Sequence, residues 1–140
     1  MNIVLLCGGL GTRLASVSKG KAKALIDICG KPFIHLLLDS LEKNSIKNVF
    51  LLISYGGKEI KNLIGDSYKG MKIKYIQDDH TLAKGTASAL LNAVNKLPEF
   101  FIMQYGDTIL DIDYKKFYDL SISQKDFLTM AIFKNKNQFD

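Results

Sequence analysis

A short apolar run that ends in a cluster of glycines is the feature that most constrains the fold of this chain. The run, Ile3–Cys7, lacks the alternation of a half-exposed strand, so it predicts a buried strand of a parallel sheet. Three glycines in four positions follow it, at Gly8, Gly9 and Gly11. Glycine lets the backbone turn sharply and approach a ligand, and successive N–H groups in such a loop form a concave site for phosphate. We therefore predict a phosphate-binding loop after the first strand.

Basic residues follow the glycines. Arg13 comes directly after them, and Lys19, Lys21 and Lys23 come next. The planar guanidinium of Arg13 suits a clamp on phosphate oxygens, whereas a lysine offers a compact charge. A glycine loop combined with an arginine and lysines is typical of a site for a highly charged phosphate substrate.

Strand and helix patterns alternate along the chain. Apolar runs predict further strands at 48–54, 71–77 and 100–104, and apolar residues at helical spacing predict helices that begin near Pro32, Lys58, Thr86 and Tyr114. Another apolar run covers 127–133. The alternation favours an α/β fold, a Rossmann-like three-layer α/β/α arrangement with a mostly parallel sheet.

Ligands of such sheets bind outside the carboxyl ends of the strands. Three segments whose glycine, polar or charged residues suit ligand binding are predicted at those ends, namely Gly8–Arg13, Asp78–Thr86 and Gly106–Asp107. Because the ends of parallel strands share one rim, we predict that these segments form a single site.

Composition excludes several classes of partner. The 140 residues suffice for one domain with a core. The net charge of +5 comes from scattered lysines without aromatic interleaving, so we predict an anionic ligand but no nucleic acid.

No stretch approaches the ~18 apolar residues of a membrane span, and the N-terminus lacks a signal-like basic region, so we predict no membrane partner and a cytoplasmic location. Cys7 and Cys29 lack metal-site spacing and are predicted to be buried free thiols.

Four motifs and one lysine together resemble the signature of the sugar-1-phosphate nucleotidyltransferases, most closely its bacterial sugar-phosphate guanylyltransferase members. In chain order they are Gly8-Gly9-Leu10-Gly11-Thr12-Arg13-Leu14, Lys23, Gly30-Lys31-Pro32-Phe33, Gly85-Thr86-Ala87-Ser88-Ala89-Leu90 and Gly106-Asp107-Thr108. The resemblance spans about Ile3 to Asp113. The family usually places proline directly before the lysine and again four positions after it, where this chain has Ala22 and Asp27.

The resemblance implies a Mg²⁺-dependent reaction of a nucleoside triphosphate, GTP by the nearest similarity, with a sugar 1-phosphate. Arg13 and Lys23 are the implied catalytic residues, and Asp107 is the implied magnesium ligand. Counting back from Gly30 selects Lys23, with Lys19 and Lys21 as alternatives. The implied nucleotide-binding residues are Leu6, Gly8, Gly9, Gly11, Thr12, Gly85 and Thr86.

The resemblance also implies a domain organisation. Residues 1–140 correspond to the family's nucleotide-binding part, without the later half that supplies most sugar contacts. A homo-oligomer is compatible with it.

Rival functions fit the residues less well. A Rossmann dehydrogenase fingerprint needs a third glycine where this chain has Leu14, and a P-loop needs a Ser or Thr after Lys21, where Ala22 stands. No Ser-His-Asp arrangement is evident, but the proposed chemistry needs no general base because a phosphate nucleophile is already ionised at neutral pH. A non-catalytic nucleotide-binding module of the same fold remains the alternative.

Overall fold

One five-stranded sheet organises the chain. The structure, a computed structural model, describes residues 1–9, 20–78, 85–132 and 134. The sheet strands are β1 (Asn2–Leu6), β4 (Asn48–Ile53), β5 (Ser67–Tyr68), β6 (Met71–Gln77) and β7 (Ile102–Tyr105), and the small strands β2 (Asp27–Ile28) and β3 (Lys31–Pro32) pair separately. The sheet order is β5-β6-β4-β1-β7, parallel throughout except for β5, which runs antiparallel to β6.

The order of the strands brings three strand ends together. The chain runs outward from β1 to β4 and β6, then returns so that β7 lies on the other side of β1. In the register, Leu6 lies opposite both Leu52 and Tyr105. The carboxyl end of β1 is therefore the point where the direction of winding reverses, and such a point opens a crevice in α/β sheets.

Within the described ranges, four α-helices cover the two faces of the sheet: α1 (Phe33–Lys43), α2 (Gly57–Ile64), α3 (Thr86–Ala93) and α4 (Tyr114–Gln124). One core combines Ile3 and Leu5 of β1 with the apolar sides of α1 and α2 and with Tyr114 of α4. The second core combines Val4 of β1 with Ala93 of α3. Alternate residues of β1 thus face opposite layers, and the predicted α/β class with a mainly parallel sheet is confirmed.

Several local predictions were wrong because apolar character does not ensure burial. Leu63 of α2, whose spacing with Ile60 and Ile64 predicts an inward position, is exposed. Cys29 is also exposed, in the turn between β2 and β3, with a positive φ of 52°. The last strand begins at Ile102 rather than at residue 100. Among the described residues of the 127–133 run none lies in a strand, and Phe127 is fully exposed.

The longest described helices, α1 and α4, each have 11 residues. Within the described ranges no helix has the length and apolar character needed to cross a bilayer.

A buried polar pair shapes the turn after β7. Gln104 is only 4% exposed, and its side-chain nitrogen donates to the carbonyl oxygen of Thr108 at 2.7 Å. The hydroxyl of the fully buried Tyr114 donates to the side-chain oxygen of Gln104 at 2.6 Å. Together these bonds connect α4 to the turn that carries Asp107.

Replacing Tyr114 by phenylalanine is expected to lower the free energy of unfolding by about 1–3 kcal/mol, because the side-chain oxygen of Gln104 loses its partner in the interior. The measurement is the midpoint and slope of urea denaturation. Tyr118→Phe, on the same helix but only partly buried, is the control and should change the midpoint much less. Equal midpoints for Tyr114→Phe and the wild type would contradict the assigned bond.

Candidate active site at the carboxyl ends of the strands

A cavity of about 300 Å³ lies at the carboxyl ends of β1, β4, β6 and β7. This volume lies at the lower end of the range of small-molecule pockets. Its described wall contains seven of the residues that the sequence predicted: Leu6, Gly8, Gly9, Lys23, Gly85, Thr86 and Asp107. The remaining described wall residues are Cys7, Ala24, Leu52, Asp78, Ala89, Tyr105 and Gly106. The described parts of the three predicted segments therefore line one cavity.

Two glycines of the wall have no room for a side chain. A Cβ at Gly8 would lie 2.8 Å from Oγ of Ser54, and one at Gly106 would lie 2.5 Å from Sγ of Cys7 and 2.8 Å from the carbonyl oxygen of Leu6. The backbone N–H of Gly106 donates to that carbonyl oxygen at 3.0 Å, which continues the pairing of β1 with β7. Glycine at position 106 lets the end of β7 approach β1, and glycine at position 8 lets the end of β1 approach Ser54.

Gly9 differs from those two glycines. A Cβ placed on it would meet no described residue within 4 Å, and Gly9 is exposed on the cavity wall. Within the described residues, glycine here does not relieve a clash.

Lys23 reaches the cavity from a short 3-10 helix, Lys23–Leu25. Its neighbours Ala22 and Ala24 are buried, so they anchor the segment while the lysine side chain stays one-third exposed. Its Nζ lies 3.0 Å from Oδ2 of Asp107, whose side chain is 45% exposed. Residues 84 positions apart in the sequence thus meet at the cavity.

The energy of this ion pair is small. Ion pairs with this degree of exposure contribute about 0–1 kcal/mol, because water screens both charges. Either group can therefore exchange its partner for a ligand at little cost. The pair places one positive and one negative charge side by side on the wall.

Cys7 lines the cavity but does not supply a nucleophile. Burial raises the pKa of its thiol to about 12, and the negative charge of Asp107 adds to the effect. The thiol is therefore protonated at neutral pH, and it is a poor nucleophile. Its role is to pack against Gly106.

The start of α3 forms another part of the wall. Gly85 occupies the N-cap position with φ of 123°, a conformation that favours glycine, and Thr86 is the first helical residue. Thr86 is therefore not the N-cap of this helix. Since Gly85 has no side chain to cap the helix, the first-turn N–H groups are directed toward the rim without a side-chain acceptor from the cap residue.

Lys31, from the Gly30-Lys31-Pro32 motif, lies away from the cavity. Its Nζ pairs with Oδ2 of Asp39 on α1, while Oδ1 of Asp39 accepts from Lys69 at 2.8 Å and from the Tyr68 hydroxyl at 2.9 Å. Burial by itself raises the pKa of Asp39, but these hydrogen bonds hold it well below its ordinary value. The motif therefore anchors α1 rather than contributing its lysine to the cavity.

Gly11, Thr12 and Arg13 lie outside the described residues, as does the alternative lysine Lys19. Lys21 is described and exposed, but it is not among the described wall residues.

Two carboxylates, Asp78 and Asp107, lie on the described wall of this cavity. Within the described ranges no group of three His, Cys, Asp or Glu residues is arranged to hold a metal. Mg²⁺ often needs only one or two carboxylates, with substrate phosphates and waters as its other ligands. Asp107, half-exposed on the cavity wall, fits that donor set.

Comparison with known proteins agrees with this geometry. A family model described as nucleotidyl transferase matches residues 2–139. The chain belongs to this nucleotidyl transferase family. Of the motifs that resemble this family, the described pairs Gly8-Gly9, Gly85-Thr86 and Gly106-Asp107 lie on the cavity wall.

Three members illustrate the similarity. A D-glycero-alpha-D-manno-heptose 1-phosphate guanylyltransferase of Campylobacter jejuni is 36% identical over 140 residues, which cover 100% of this chain and 60% of the relative. The enzyme of the same description from Aneurinibacillus thermoaerophilus is 35% identical, covering 94% and 57%. A crystal structure of HddC from Yersinia pseudotuberculosis complexed with GMP-PN superposes with a TM-score of 0.73 at 39% identity, covering 86% of this chain and 54% of that one. The chain thus spans little more than half the length of these family members.

Proposed function

We propose that the protein transfers a nucleotidyl group from a nucleoside triphosphate to a sugar 1-phosphate, forming a nucleoside diphosphate sugar and pyrophosphate. The observation that carries this proposal is the meeting of Lys23 and Asp107 at 3.0 Å on a glycine-walled cavity. The shared family and the guanylyltransferase relatives support it.

In the proposed reaction a phosphate oxygen of the sugar 1-phosphate attacks the α-phosphorus, and the bond from that phosphorus to the pyrophosphate oxygen breaks. The attacking phosphate has a second pKa of about 6, so it is largely dianionic at neutral pH and needs no base. The protein must instead hold two anions together and stabilise the charge that develops between them.

The wall residues suit these tasks. The ammonium of Lys23 offsets the charge of the phosphates at the reacting centre, and the N–H of Gly9 offers a donor at the end of β1. Asp107 would hold Mg²⁺, which when bound neutralises phosphate charge and orients the oxygens. Gly85 and Thr86 would bind the nucleotide through the start of α3. Arg13, Gly11 and Thr12 keep their predicted phosphate-binding roles as part of the proposal.

Guanine is the proposed nucleobase. The support is that two relatives are described as guanylyltransferases and that the related structure is a complex with GMP-PN. A heptose 1-phosphate is the corresponding proposed acceptor. We also propose the cytoplasm as the location, because the substrates of such a biosynthetic reaction are produced there.

The proposal is tested by incubating the chain with Mg²⁺, each nucleoside triphosphate in turn and a panel of sugar 1-phosphates, with pyrophosphate release as the readout. We expect release with GTP and a heptose 1-phosphate, and little without Mg²⁺. Release with another nucleoside triphosphate would change the proposed base specificity but would still support the proposed reaction. Nucleotide binding by calorimetry without any release would favour the alternative, a non-catalytic nucleotide-binding module.

A further inference from the structure

The turn between β4 and α2 contacts the segments that flank residues 10–19. This turn, Ser54-Tyr55-Gly56, is here named the brace turn. The hydroxyl of Ser54 donates to the carbonyl oxygen of Gly8 at 2.6 Å. The hydroxyl of Tyr55 donates to the carbonyl oxygen of Gly20 at 2.6 Å.

A third contact is steric. Gly56 has φ of 70°, and a Cβ on it would lie only 2.6 Å from Cβ of Ala22. The backbone of the brace turn therefore packs directly against Ala22, the residue before Lys23. Three consecutive residues of one turn thus contact Gly8, Gly20 and Ala22.

The bond from Ser54 has a consequence for the cavity. In a trans peptide the carbonyl of one residue and the N–H of the next point in opposite directions. Because Ser54 holds the carbonyl of Gly8, the N–H of Gly9 points away from Ser54, and Gly9 lines the cavity. Tyr55 fixes the peptide between Gly20 and Lys21 in the same way. Donors that are aimed before the ligand arrives bind an anion better than donors that must be ordered on binding.

We propose that the brace turn positions the Gly8–Gly9 donor and the Lys23 segment for the triphosphate, with Ser54 and Tyr55 as positioning residues. Neither residue is among the described wall residues, so neither is assigned contact with substrate. Tyr55 is 44% exposed, which argues against a main role in the core. The inference rests on the proposed function.

The test is a set of matched variants. Tyr55→Phe removes one hydroxyl that donates to a glycine carbonyl, and Tyr75→Phe removes the same kind of bond far from the cavity, from Tyr75 to Gly65 at 2.5 Å. Ser54→Ala removes the other bond, and Ser54→Thr keeps a hydroxyl. We expect Tyr55→Phe and Ser54→Ala each to raise KM for the triphosphate about fivefold, as expected for the loss of one hydrogen bond, with kcat within about twofold.

The controls separate positioning from stability. Ser54→Thr should restore KM, and Tyr75→Phe should leave KM unchanged. A merely structural role would lower the active fraction, and so kcat, at constant KM. Unchanged KM in both Ser54→Ala and Tyr55→Phe overturns the proposal, as does an equal rise in Tyr75→Phe.

A ligand-free measurement keeps this inference distinct from the proposed function. In backbone ¹⁵N relaxation, the order parameter of Gly9 should be lower in Ser54→Ala, and that of Lys21 lower in Tyr55→Phe, than in the wild type and Tyr75→Phe. If the wild type neither binds a nucleotide nor releases pyrophosphate, the proposed function fails, and the order parameters still decide whether the brace turn holds these groups. Equal order parameters in all four proteins overturn the inference.

Discussion

Replacing Lys23 by methionine is expected to lower kcat/KM for the proposed reaction at least tenfold, or by about 1.4 kcal/mol of transition-state stabilisation. Two effects act in the same direction. The phosphates lose a positive charge at the reacting centre, and Asp107 loses its partner at 3.0 Å, which leaves an uncompensated negative charge on the wall that repels the triphosphate. Steady-state kinetics of pyrophosphate release measure the loss. Methionine keeps the length of the side chain, so packing changes little.

Lys21→Met is the matched control for this prediction. Lys21 lies two positions away and is exposed outside the described wall, so the variant carries the same change in net charge without touching the cavity. We expect its kcat/KM to stay within about threefold of the wild type, because salt and water screen an exposed charge outside the cavity. A large loss in Lys21→Met with a near-normal Lys23→Met would transfer the role to Lys21, and normal rates in both variants would leave Lys19 as the alternative.

The sheet and its functional rim could be predicted from local sequence because apolar runs encode buried parallel strands. The segment 71–77 was predicted as a strand with the bounds that the structure has, and β4 ends one residue before its predicted end. Once strands are known, the common direction of parallel strands places their carboxyl ends on one rim. Asp107 lies at the rim for that reason, whereas Lys23 reaches it from a 3-10 helix, and the ion pair between them was not predicted.

Burial on the second face of the sheet could not be predicted in the same way. The spacing of Leu91 and Val94 is helical, yet Leu91 is 71% exposed and Val94 is 50% exposed. Periodicity identifies the apolar side of a helix, but what covers that side depends on tertiary contacts. On this face the cluster that includes Ala93 is small, and Ala89 rather than Leu91 packs against it.

The brace turn was missed for a different reason. Ser54 was predicted as the last residue of a strand, with Tyr55 and Gly56 in the exit that follows. The bonds of Ser54 and Tyr55 could not be predicted because their acceptors are backbone carbonyls of Gly8 and Gly20, which no side-chain pattern encodes. A signal was nevertheless available. Since β4 ends beside β1, polar residues directly after β4 are expected at the same rim as the glycines.

Replacing Asp107 by asparagine is expected to change nucleotide binding in opposite directions with and without magnesium. Without Mg²⁺ the triphosphate should bind more tightly, because a negative charge beside the phosphates is removed and Lys23 is released from its partner. With Mg²⁺ the proposed metal ligand is missing, so kcat/KM should fall at least tenfold, or by about 1.4 kcal/mol. Calorimetric titration of GTP in EDTA and in Mg²⁺, together with pyrophosphate release, measures the two effects.

Opposite effects of Asp107→Asn without and with Mg²⁺ distinguish a metal ligand from a merely structural carboxylate. The Lys23–Asp107 pair is exposed enough to contribute about 0–1 kcal/mol, so Asp107→Asn should unfold near the wild-type denaturant midpoint. Asp111→Asn, an exposed carboxylate four positions further on, is the control and should leave both titrations unchanged. If Asp107→Asn weakens binding equally in EDTA and in Mg²⁺, the side chain holds the shape of the cavity rather than the metal. If Asp111→Asn instead shows the magnesium-dependent loss, the ligand lies beyond the turn, and the roles of Gly106 and Asp107 reduce to the close approach of β7 to β1.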